Sequence, residues 1–408
     1  MSTARIVNPM ELKGEDTAIL VNLLAMFPNS PLIKQGEYIV PAPQQPAEKI
    51  MIQLQYDLLK RFCVSNKHAG QHRYEILDQE NKDHQLGVGG DETIVFASLG
   101  TLVPENNSLR YKSPAEKSRA VKRIVYTSDK QTEISDEFKL STQAGHLHIK
   151  PAVFVRNRDE STCYFVMHRL AGICMADLID KIYYSKEITP TTDQLIALSL
   201  AVLRAVKTQV HDKGLVHRDI KTENMLVVLD QNAACVNIID FALSKKNETD
   251  DENEQNGTYG YMAPECILTK GTTVKSDIFS LSLVLGYLFG ALAFEPHNRL
   301  SVTEIDQYEF PQLFEDCHDW PNFDLSATHQ DVIRVFLTRM HDSDPSKRPT
   351  CEEVIALFEK IQTKRQEFAE VKSDTPMLTQ SSLQPFTIFK KLDITSESIS
   401  TATHKPKI

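Results

Sequence analysis

The sequence predicts an α+β fold in which a mostly β region precedes a mostly α region. Residues 72–170 contain five short apolar runs of strand length, whereas the apolar residues from Gln194 onward recur every three to four positions, as on one face of a helix. The chain has 408 residues, of which 41% are hydrophobic and 25% charged, enough for two or three globular units. We therefore expect a small, mostly β lobe followed by a larger, mostly α lobe.

Residues 1–71 are expected to form a helical N-terminal extension. Helical periodicity is present at residues 17–27 and again at residues 47–64. The proline-rich segment 41–46 separates the two stretches and predicts a break. We expect the two helices to pack on the following lobe as a cap, because their apolar faces need cover. A separate regulatory or targeting module is the alternative.

The elements of the two lobes follow from the same periodicities. One strand is predicted for each apolar run of residues 72–170, at 73–77, 93–97, 120–125, 152–156 and 164–170. Residues 136–142 predict the single helix of this lobe, and the polar stretch 104–117 predicts a loop outside the sheet. Helices of the larger lobe, residues 171–365, are predicted at 195–210, 276–289, 331–340 and 351–364. The Ser/Thr-rich C-terminal tail, residues 366–408, is predicted to be disordered or loosely docked.

Charge, hydropathy and cysteine usage predict a cytoplasmic protein. The net charge of −10 argues against nucleic-acid binding as a general property. The longest apolar run, residues 281–294, is shorter than a membrane span, and the first residues lack the apolar core of a secretory signal. The seven cysteines are odd in number and lack metal-site spacing, which is typical of reduced thiols. We expect no nucleic-acid partner and no membrane span, and the oligomeric state stays open.

The most informative segment, residues 217–224, reads HRDIKTEN and is followed sixteen residues later by Asp240-Phe241-Ala242. Asp219 can accept a proton, and the oxygens of Asn224 and Asp240 are hard ligands of the kind that Mg²⁺ prefers. The segment fits the pattern H-R-D-x-x-x-x-N, and a second aspartate follows it after an apolar run.

Five further segments occur in a fixed order along the chain. They are Gly87-Val88-Gly89-Gly90, Ala120-Val121-Lys122, GTYGYMAPE at 257–265, SDIFSL at 276–281 and DPSKRPT at 344–350. Together with HRDIKTEN they resemble the motifs of eukaryotic-type Ser/Thr protein kinases, over roughly residues 72–365. The resemblance implies the bilobal protein-kinase fold, ATP and Mg²⁺ as cofactors and a protein as substrate.

The resemblance also implies roles for the residues of the central segment. Asp219 is the expected catalytic base, which accepts or orients the proton of the attacking hydroxyl. Lys221 is expected to contact the transferred phosphate, and its presence favours Ser/Thr over Tyr as the acceptor. Asn224 and Asp240 are the expected Mg²⁺ ligands.

The same resemblance assigns Lys122 to the α- and β-phosphates of ATP and pairs it with a glutamate on a helix. Glu137 is the first choice, because the residues after it continue a helical pattern. Glu133, one turn earlier, is the alternative partner. Lys117, in the polar stretch, is the alternative to Lys122.

The other nucleotide contacts are likewise implied by the resemblance. The glycine-rich turn is expected to approach the phosphates, Met167 to be the gatekeeper before the hinge, and Ala120 and Leu226 to sandwich the adenine. The expected nucleotide-binding residues are Gly87, Val88, Gly89, Gly90, Ile94, Ala120, Lys122, Met167, His168, Leu170 and Leu226. Two residues depart from the family pattern, because Glu92 replaces the third glycine of the turn and Ala242 replaces the glycine of the Asp-Phe-Gly motif.

Further residues are expected to support the site. Glu265 and Arg348 are expected to form a buried ion pair, and Asp277 to accept hydrogen bonds from the backbone of the catalytic loop. The acidic run at residues 247–254 lies in the expected activation loop, and its charge is expected to replace a phosphate group that would pair with Arg218.

The sequence thus predicts an active Ser/Thr protein kinase. A pseudokinase that binds nucleotide or partners without turnover is the first alternative, supported by Glu92 and Ala242. A small-molecule kinase is the second, although residues 257–265 resemble a segment that shapes the peptide platform of protein kinases. The divergent small lobe and the leader also resemble kinase-like effectors that bacterial pathogens inject into host cells, which implies the host cytoplasm as an alternative location.

Overall fold

The chain forms two compact units. The structure, a computed structural model, describes residues 4–63, 71–90, 93–106, 108–116, 118–156, 161–229, 233–247, 255–268, 271–291 and 327–373. The first unit holds the residues up to Phe138 together with Leu147–Arg169, and the second holds Lys139–His146 and the residues from Leu170 onward. The predicted α+β class, with a β-rich region before a helix-rich region, is confirmed.

Three sheets make up most of the first unit. The first sheet has the order β1 (Arg5–Val7), β4 (Lys49–Leu54), β3 (Gly36–Pro41), with β1 parallel to β4. The second, called here the extension sheet, has the antiparallel order β10 (Ser108–Lys112), β9 (Gly100–Glu105), β6 (His72–Leu77), β5 (Asp57–Phe62), β2 (Leu32–Ile33). The third, called the lysine sheet because it carries Lys122, has the antiparallel order β12 (Val153–Arg156), β13 (Ser161–His168), β11 (Arg119–Tyr126), β8 (Ile94–Ala97), β7 (Gln85–Val88).

One helix, α1 (Glu15–Met26), covers one face of the extension sheet. It buries Ile19, Leu20 and Leu23 in an apolar cluster. The strand residues in this cluster include Leu58, Tyr74, Ile76, Leu102 and Leu109. Residues before position 63 and residues after position 71 therefore share one core.

The other face of the extension sheet packs on the lysine sheet. Successive side chains of a strand point to opposite faces, so the neighbours Leu58 and Leu59 enter different clusters. Leu59 and Leu77 pack with Val121 and Val166 of the lysine sheet. The extension sheet is thus buried on both faces.

The predicted helix at residues 47–64 is wrong, and so is the prediction of a helical N-terminal extension. The segment forms β4 and β5, and the extension contains β1 to β5 together with α1, the helix predicted at residues 17–27. Ile50, Ile52 and Leu54 alternate along β4, whereas the neighbours Leu58 and Leu59 of β5 are both buried because each face of that strand is covered. The combination of these two strand patterns imitates the spacing of a helix.

The predicted loop at residues 104–117 is also wrong, because β9 and β10 form a hairpin within residues 100–112. Pro104 is the one residue of β9 without a backbone N–H. In the structure it lies opposite Leu109 and beyond the three residue pairs that join β9 to β6, so its missing N–H removes no hydrogen bond from that pairing.

The five strands predicted for the small lobe are present as β6, β8, β11, β12 and β13, although β6 belongs to the extension sheet. The predicted helix at residues 136–142 lies within α2 (Gln131–Ala144), which begins in the first unit and ends in the second. Strand β7 was not predicted.

Helices dominate the second unit. Those described after α2 are α3 (Met175–Tyr183), α4 (Thr192–Gln209), α5 (Pro264–Ile267), α6 (Val274–Leu288), α7 (Ala327–Met340) and α8 (Cys351–Ser373). Two small sheets have the orders β14 (Ile173–Cys174), β16 (Met225–Leu229), β17 (Ala234–Ile238) and β15 (Leu215–Val216), β18 (Lys245–Lys246). The four predicted helices are confirmed as α4, α6, α7 and α8, and capping boxes at Thr191 and Thr273 begin α4 and α6. Within the described part of the chain, every helix is too short or too polar to cross a membrane.

Candidate active site

A buried ion pair joins the lysine sheet to α2 within the first unit. Lys122 Nζ donates to Glu137 Oε1 at 2.5 Å, and the two residues are only 8% and 7% exposed. Glu133, the alternative partner, lies one turn earlier and is exposed. Lys117, the alternative lysine, lies outside the described residues. The expected pairing of Lys122 with Glu137 is therefore present in the structure.

The glycine-rich segment forms the turn between β7 and β8. Gly89 N donates to Thr93 O at 2.8 Å, and Thr93 N donates to Gly90 O at 3.0 Å. Gly87 and Val88 lie on β7 and are exposed. Glu92, the departure from the family pattern, lies outside the described residues.

The residues expected around adenine are divided between the two units. In the first unit Ala120 pairs across the sheet with Met167, and His168 at the end of β13 is exposed. In the second unit Leu226 pairs with Cys174 of β14 and is half-buried, as is Leu170. Ile94 begins β8 beside the turn.

The expected catalytic loop, residues 217–224, is fixed by one carboxylate of α6. Asp277 Oδ2 accepts from His217 N at 2.9 Å, and Asp277 Oδ1 accepts from Arg218 N at 3.0 Å. Asp277 is 1% exposed, so these bonds satisfy a buried charge. The predicted role of Asp277 is confirmed. Arg218 adopts the left-handed backbone conformation, with φ 67°, which these two bonds hold in place.

Three side chains surround Asp219 in the second unit. Lys221 Nζ lies 2.9 Å from Asp219 Oδ2 and donates to Thr258 Oγ1 at 2.8 Å. Thr258 Oγ1 in turn donates to Asp219 Oδ1 at 2.6 Å. Asn224 Nδ2 donates to Asp219 O and to Asp219 Oδ2, at 2.9 Å in each case. Asp219 therefore receives an alcohol hydroxyl at hydrogen-bond distance, next to a lysine ammonium group.

Asn224 and Asp240 lie at the same end of the β16–β17 hairpin. Ile239 N donates to Asn224 O at 2.9 Å, directly beyond the pair Met225–Ile238. The amide nitrogen of Asn224 is used on Asp219, which leaves its amide oxygen as the ligand atom. Asp240 has φ 64° and offers a carboxylate. One amide oxygen and one carboxylate fit a Mg²⁺ ion that takes its other ligands from phosphate and water.

The other expected ion pair, between Glu265 and Arg348, is also confirmed. Arg348 Nη1 and Nη2 donate to the two carboxylate oxygens of Glu265 at 2.6 and 2.7 Å. Arg348 is 2% exposed and also donates to Lys275 O at 2.9 Å. Through these bonds Arg348 fixes α5 to the start of α6. The acidic run expected to pair with Arg218 includes residues 248–254, which lie outside the described residues.

Two contacts at the site were not predicted from the sequence. The hydroxyl of Thr258, to which the sequence assigned no role at the site, contacts Asp219 and Lys221. Gly172 has φ +124°, and a Cβ there would lie 2.6 Å from Val227 O. The position of Gly172, five residues after Met167, is the only feature of the sequence that points to this contact. The close approach of the Val227 backbone leaves no pattern in the residues around Gly172.

A glycine next to the catalytic loop provides a test of this geometry. Gly257 has φ +133°, and a Cβ there would lie 2.7 Å from Arg218 O. Replacing Gly257 with alanine should displace Arg218 or Thr258 and reduce any phosphoryl transfer at least about tenfold, because small misplacements of reacting groups are costly. Initial-rate measurements check this result.

Gly260→Ala is the matched control in the same segment. Gly260 also has a positive φ, +91°, but a Cβ added there would have no atom of the described residues within 4 Å. Both variants should lose about 1–3 kcal/mol of unfolding free energy through backbone strain. Equal rates for the two variants would contradict the contact between Gly257 and the loop.

Comparison with known proteins agrees with the site. The family model for the protein kinase domain matches residues 108–357, more than half of the chain. The chain therefore belongs to the protein kinase domain family, and the expected protein-kinase fold is confirmed. The match begins in β10, so the glycine-rich turn and the N-terminal extension lie outside it.

Three curated relatives illustrate the similarity. A serine/threonine-protein kinase of Drosophila erecta, GG21441, is 28% identical over 272 residues, covering 63% of this chain and 34% of the relative. Serine/threonine-protein kinase PknD of Protochlamydia amoebophila is 26% identical over 234 residues, covering 51% and 24%. The probable serine/threonine-protein kinase gdt4 of Dictyostelium discoideum is 28% identical over 193 residues, covering 46% and 11%. The chain thus spans about a third or less of the length of these relatives, and its resemblance to eukaryotic-type Ser/Thr kinases is confirmed.

Proposed function

We propose that this chain is a Ser/Thr protein kinase that transfers the γ-phosphoryl group of ATP, with Mg²⁺, to hydroxyl groups of a protein substrate. The observation that carries the proposal is the contact of Asp219 with the Thr258 hydroxyl beside Lys221. A carboxylate that accepts an alcohol proton next to a cation is the arrangement that phosphoryl transfer to Ser or Thr requires. The kinase names of the curated relatives support the same activity.

The proposed roles follow from the chemistry of each group. Asp219 orients the substrate hydroxyl and accepts its proton, while Lys221 stabilises the negative charge on the transferred group. Lys122, held by Glu137, binds the α- and β-phosphates. Asn224 and Asp240 would hold Mg²⁺, which neutralises phosphate charge when bound.

The proposed nucleotide contacts are those expected from the family. Backbone amides of the glycine-rich turn approach the phosphates, and apolar side chains enclose the adenine. The residues are Gly87, Val88, Gly89, Gly90, Ile94, Ala120, Lys122, Met167, His168, Leu170 and Leu226. We also propose a cytoplasmic location, because the six described cysteines are all free, as in a reducing compartment.

A nucleotide-binding scaffold without turnover is the second candidate, and Ala242 favours it. Ala242 stands where the family has glycine, and its backbone N lies 3.4 Å from Asp240 Oδ1. Its methyl group restricts the backbone rotations that glycine allows next to the metal ligand. Lys122, Asp219, Asn224 and Asp240 are nevertheless all retained, so we favour the active enzyme.

The two candidates differ in a transfer experiment with γ-labelled ATP. The purified chain is incubated with a mixture of peptides that contain Ser, Thr or Tyr, alongside Asp219→Ala and Lys122→Ala. We expect label on Ser and Thr only, and loss of label in both variants. ATP binding without transfer by the native chain would favour the scaffold, and label retained by Asp219→Ala would exclude the proposed base.

A further inference from the structure

A buried carboxylate lies where the extension sheet meets the lysine sheet. Glu75 of β6 is 0% exposed and accepts four hydrogen bonds. Arg61 Nε and Arg119 Nη1 each donate to its Oε1 at 2.6 Å. Ser98 Oγ and Thr101 Oγ1 donate to its Oε2 at 2.9 and 3.0 Å. A fully bonded buried carboxylate of this kind holds its partners in one arrangement.

The four donors come from both sheets. Arg61 lies on β5 and Thr101 on β9, which belong to the extension sheet. Arg119 is the first residue of β11 in the lysine sheet, and Ser98 directly follows β8 of the same sheet. Glu75 is therefore a buried polar contact through which the extension sheet binds the strand that carries Lys122.

The distance from Arg119 to the proposed phosphate-binding lysine is short along the chain. Only Ala120 and Val121 separate Arg119 from Lys122 on the same strand. A displacement of Arg119 should also move the residues after it on β11. The backbone of these residues pairs with β13 on one side and with β8 on the other, so the strand shifts as a unit. Arg119 Nη1 also donates to Thr101 Oγ1 at 2.6 Å, which adds a second bond between the two sheets.

The charges of the cluster are unequal, since two guanidinium groups share one carboxylate. Arg61 Nη2 is buried and has no hydrogen-bond partner among the described residues. The pKa of the Arg119 guanidinium is lowered from its ordinary value, chiefly by burial; Glu75 opposes this lowering, and the nearby Arg61 and Arg73 add to it. Removal of either arginine therefore leaves one guanidinium group bonded to Glu75 rather than an isolated buried carboxylate.

We propose that Glu75, acting through Arg119, is a positioning residue that fixes the Lys122 strand for nucleotide binding, so that the extension sheet is a working part of the catalytic unit. This inference rests on the proposed function, in which Lys122 binds the phosphates of ATP. A second bridge points the same way. Gln79 Nε2 donates to Asp57 Oδ2 of β5 at 2.5 Å, and Gln79 Oε1 accepts from Arg123 and from Tyr164, at 3.3 Å in each case. Both of those residues lie on the extension side of the lysine sheet.

The two arginines form a matched pair for the test. Arg119→Met and Arg61→Met each remove one guanidinium group from Glu75, but only Arg119→Met removes the hydrogen bond from β11 to Glu75. We expect Arg119→Met to raise the KM for ATP about tenfold with kcat changed less than about threefold, which is the signature of lost substrate binding. Arg61→Met should leave the KM within about twofold of the native value. Arg119→Lys, which keeps the charge, should recover part of the lost affinity.

Hydrogen exchange of the β11 amides gives a readout that does not need activity. The proposal predicts faster exchange in β11 for Arg119→Met than for Arg61→Met, even where both variants have the same thermal midpoint. Equal changes in KM and in exchange for the two variants would overturn the positioning role and leave a purely structural cluster.

A double variant, Glu75→Gln with Arg61→Met, replaces the Arg119 variants if neither Arg119→Met nor Arg119→Lys folds while Arg61→Met does. A KM for ATP of the double variant equal to that of Arg61→Met would overturn the positioning role of Glu75. Failure of the native chain to bind ATP would overturn the proposed function itself.

Discussion

Replacing Lys122 with methionine should reduce phosphoryl transfer by about 10²–10³-fold, the usual effect of removing one charge-stabilising group from a catalytic site. The same change should lower the free energy of unfolding by about 3–5 kcal/mol, because the carboxylate of Glu137 stays buried without this cation. The pair is almost fully buried, with 8% and 7% of the two residues exposed. Initial rates and denaturant unfolding measure the two effects separately.

A double variant separates the catalytic effect from the structural one. Lys122→Met combined with Glu137→Leu removes both charges, so most of the lost stability should return. Transfer should stay as low as in the single variant. Lys139→Met is the matched control, because Lys139 lies on the exposed side of the same helix and should leave rate and stability nearly unchanged. Recovery of transfer in the double variant would contradict the role of Lys122.

Deleting residues 1–71 should unfold the catalytic region or make it insoluble. Residues Tyr74, Ile76, Leu102 and Leu109 would lose the cover of α1 and β5. Burial of one large apolar side chain contributes about 1.5–3 kcal/mol, so four contribute about 6–12 kcal/mol. That amount rivals the whole stability of a typical domain, about 5–15 kcal/mol. Solubility, circular dichroism and thermal unfolding of the shortened chain check the result.

Two point variants control for the deletion. Leu58 is buried in the core of the extension, whereas Ile39 of β3 is 57% exposed. Leu58→Asp should reproduce the loss of folding, because an isolated carboxylate in an apolar core is strongly unfavourable. Ile39→Asp should fold normally. A shortened chain with the thermal midpoint of the native protein would show that the extension is a separate module.

The sequence was most predictive where structure is local. The helices of the second unit follow from periodicity within ten to twenty residues, and all four predicted helices are present. The contacts of Asp277 and the ion pair of Glu265 with Arg348 were also predicted, because the residues belong to motifs with a fixed order. Glu137 was distinguished from Glu133 by helix continuity alone, and the structure pairs it with Lys122.

The sequence was least predictive where distant segments share one core. Leu58 and Leu59 imitate a helical face, but they are buried on opposite sides of one strand by different partners. Arg119 looks like an ordinary residue before a strand, and its bond to Glu75 joins positions 44 residues apart. Burial on both faces of a strand depends on which elements pack against it, and no local pattern records that choice.

The most direct test of the account is phosphoryl transfer from ATP measured with Mg²⁺ and with an excess of chelator, for the native chain and for Asp219→Asn, Asn224→Ala and Asp240→Asn. We expect the native chain to transfer phosphate to Ser or Thr when Mg²⁺ is present and not in excess chelator. We expect no transfer by the three variants. We expect Asp219→Asn and Asp240→Asn to keep nearly native unfolding midpoints, because an amide keeps hydrogen-bonding atoms where the carboxylate had them. Asn224→Ala should lose about 1–3 kcal/mol of unfolding free energy, because it removes two buried hydrogen bonds to Asp219. Transfer by Asp219→Asn at the native rate, or transfer by the native chain in excess chelator, would contradict the proposed function.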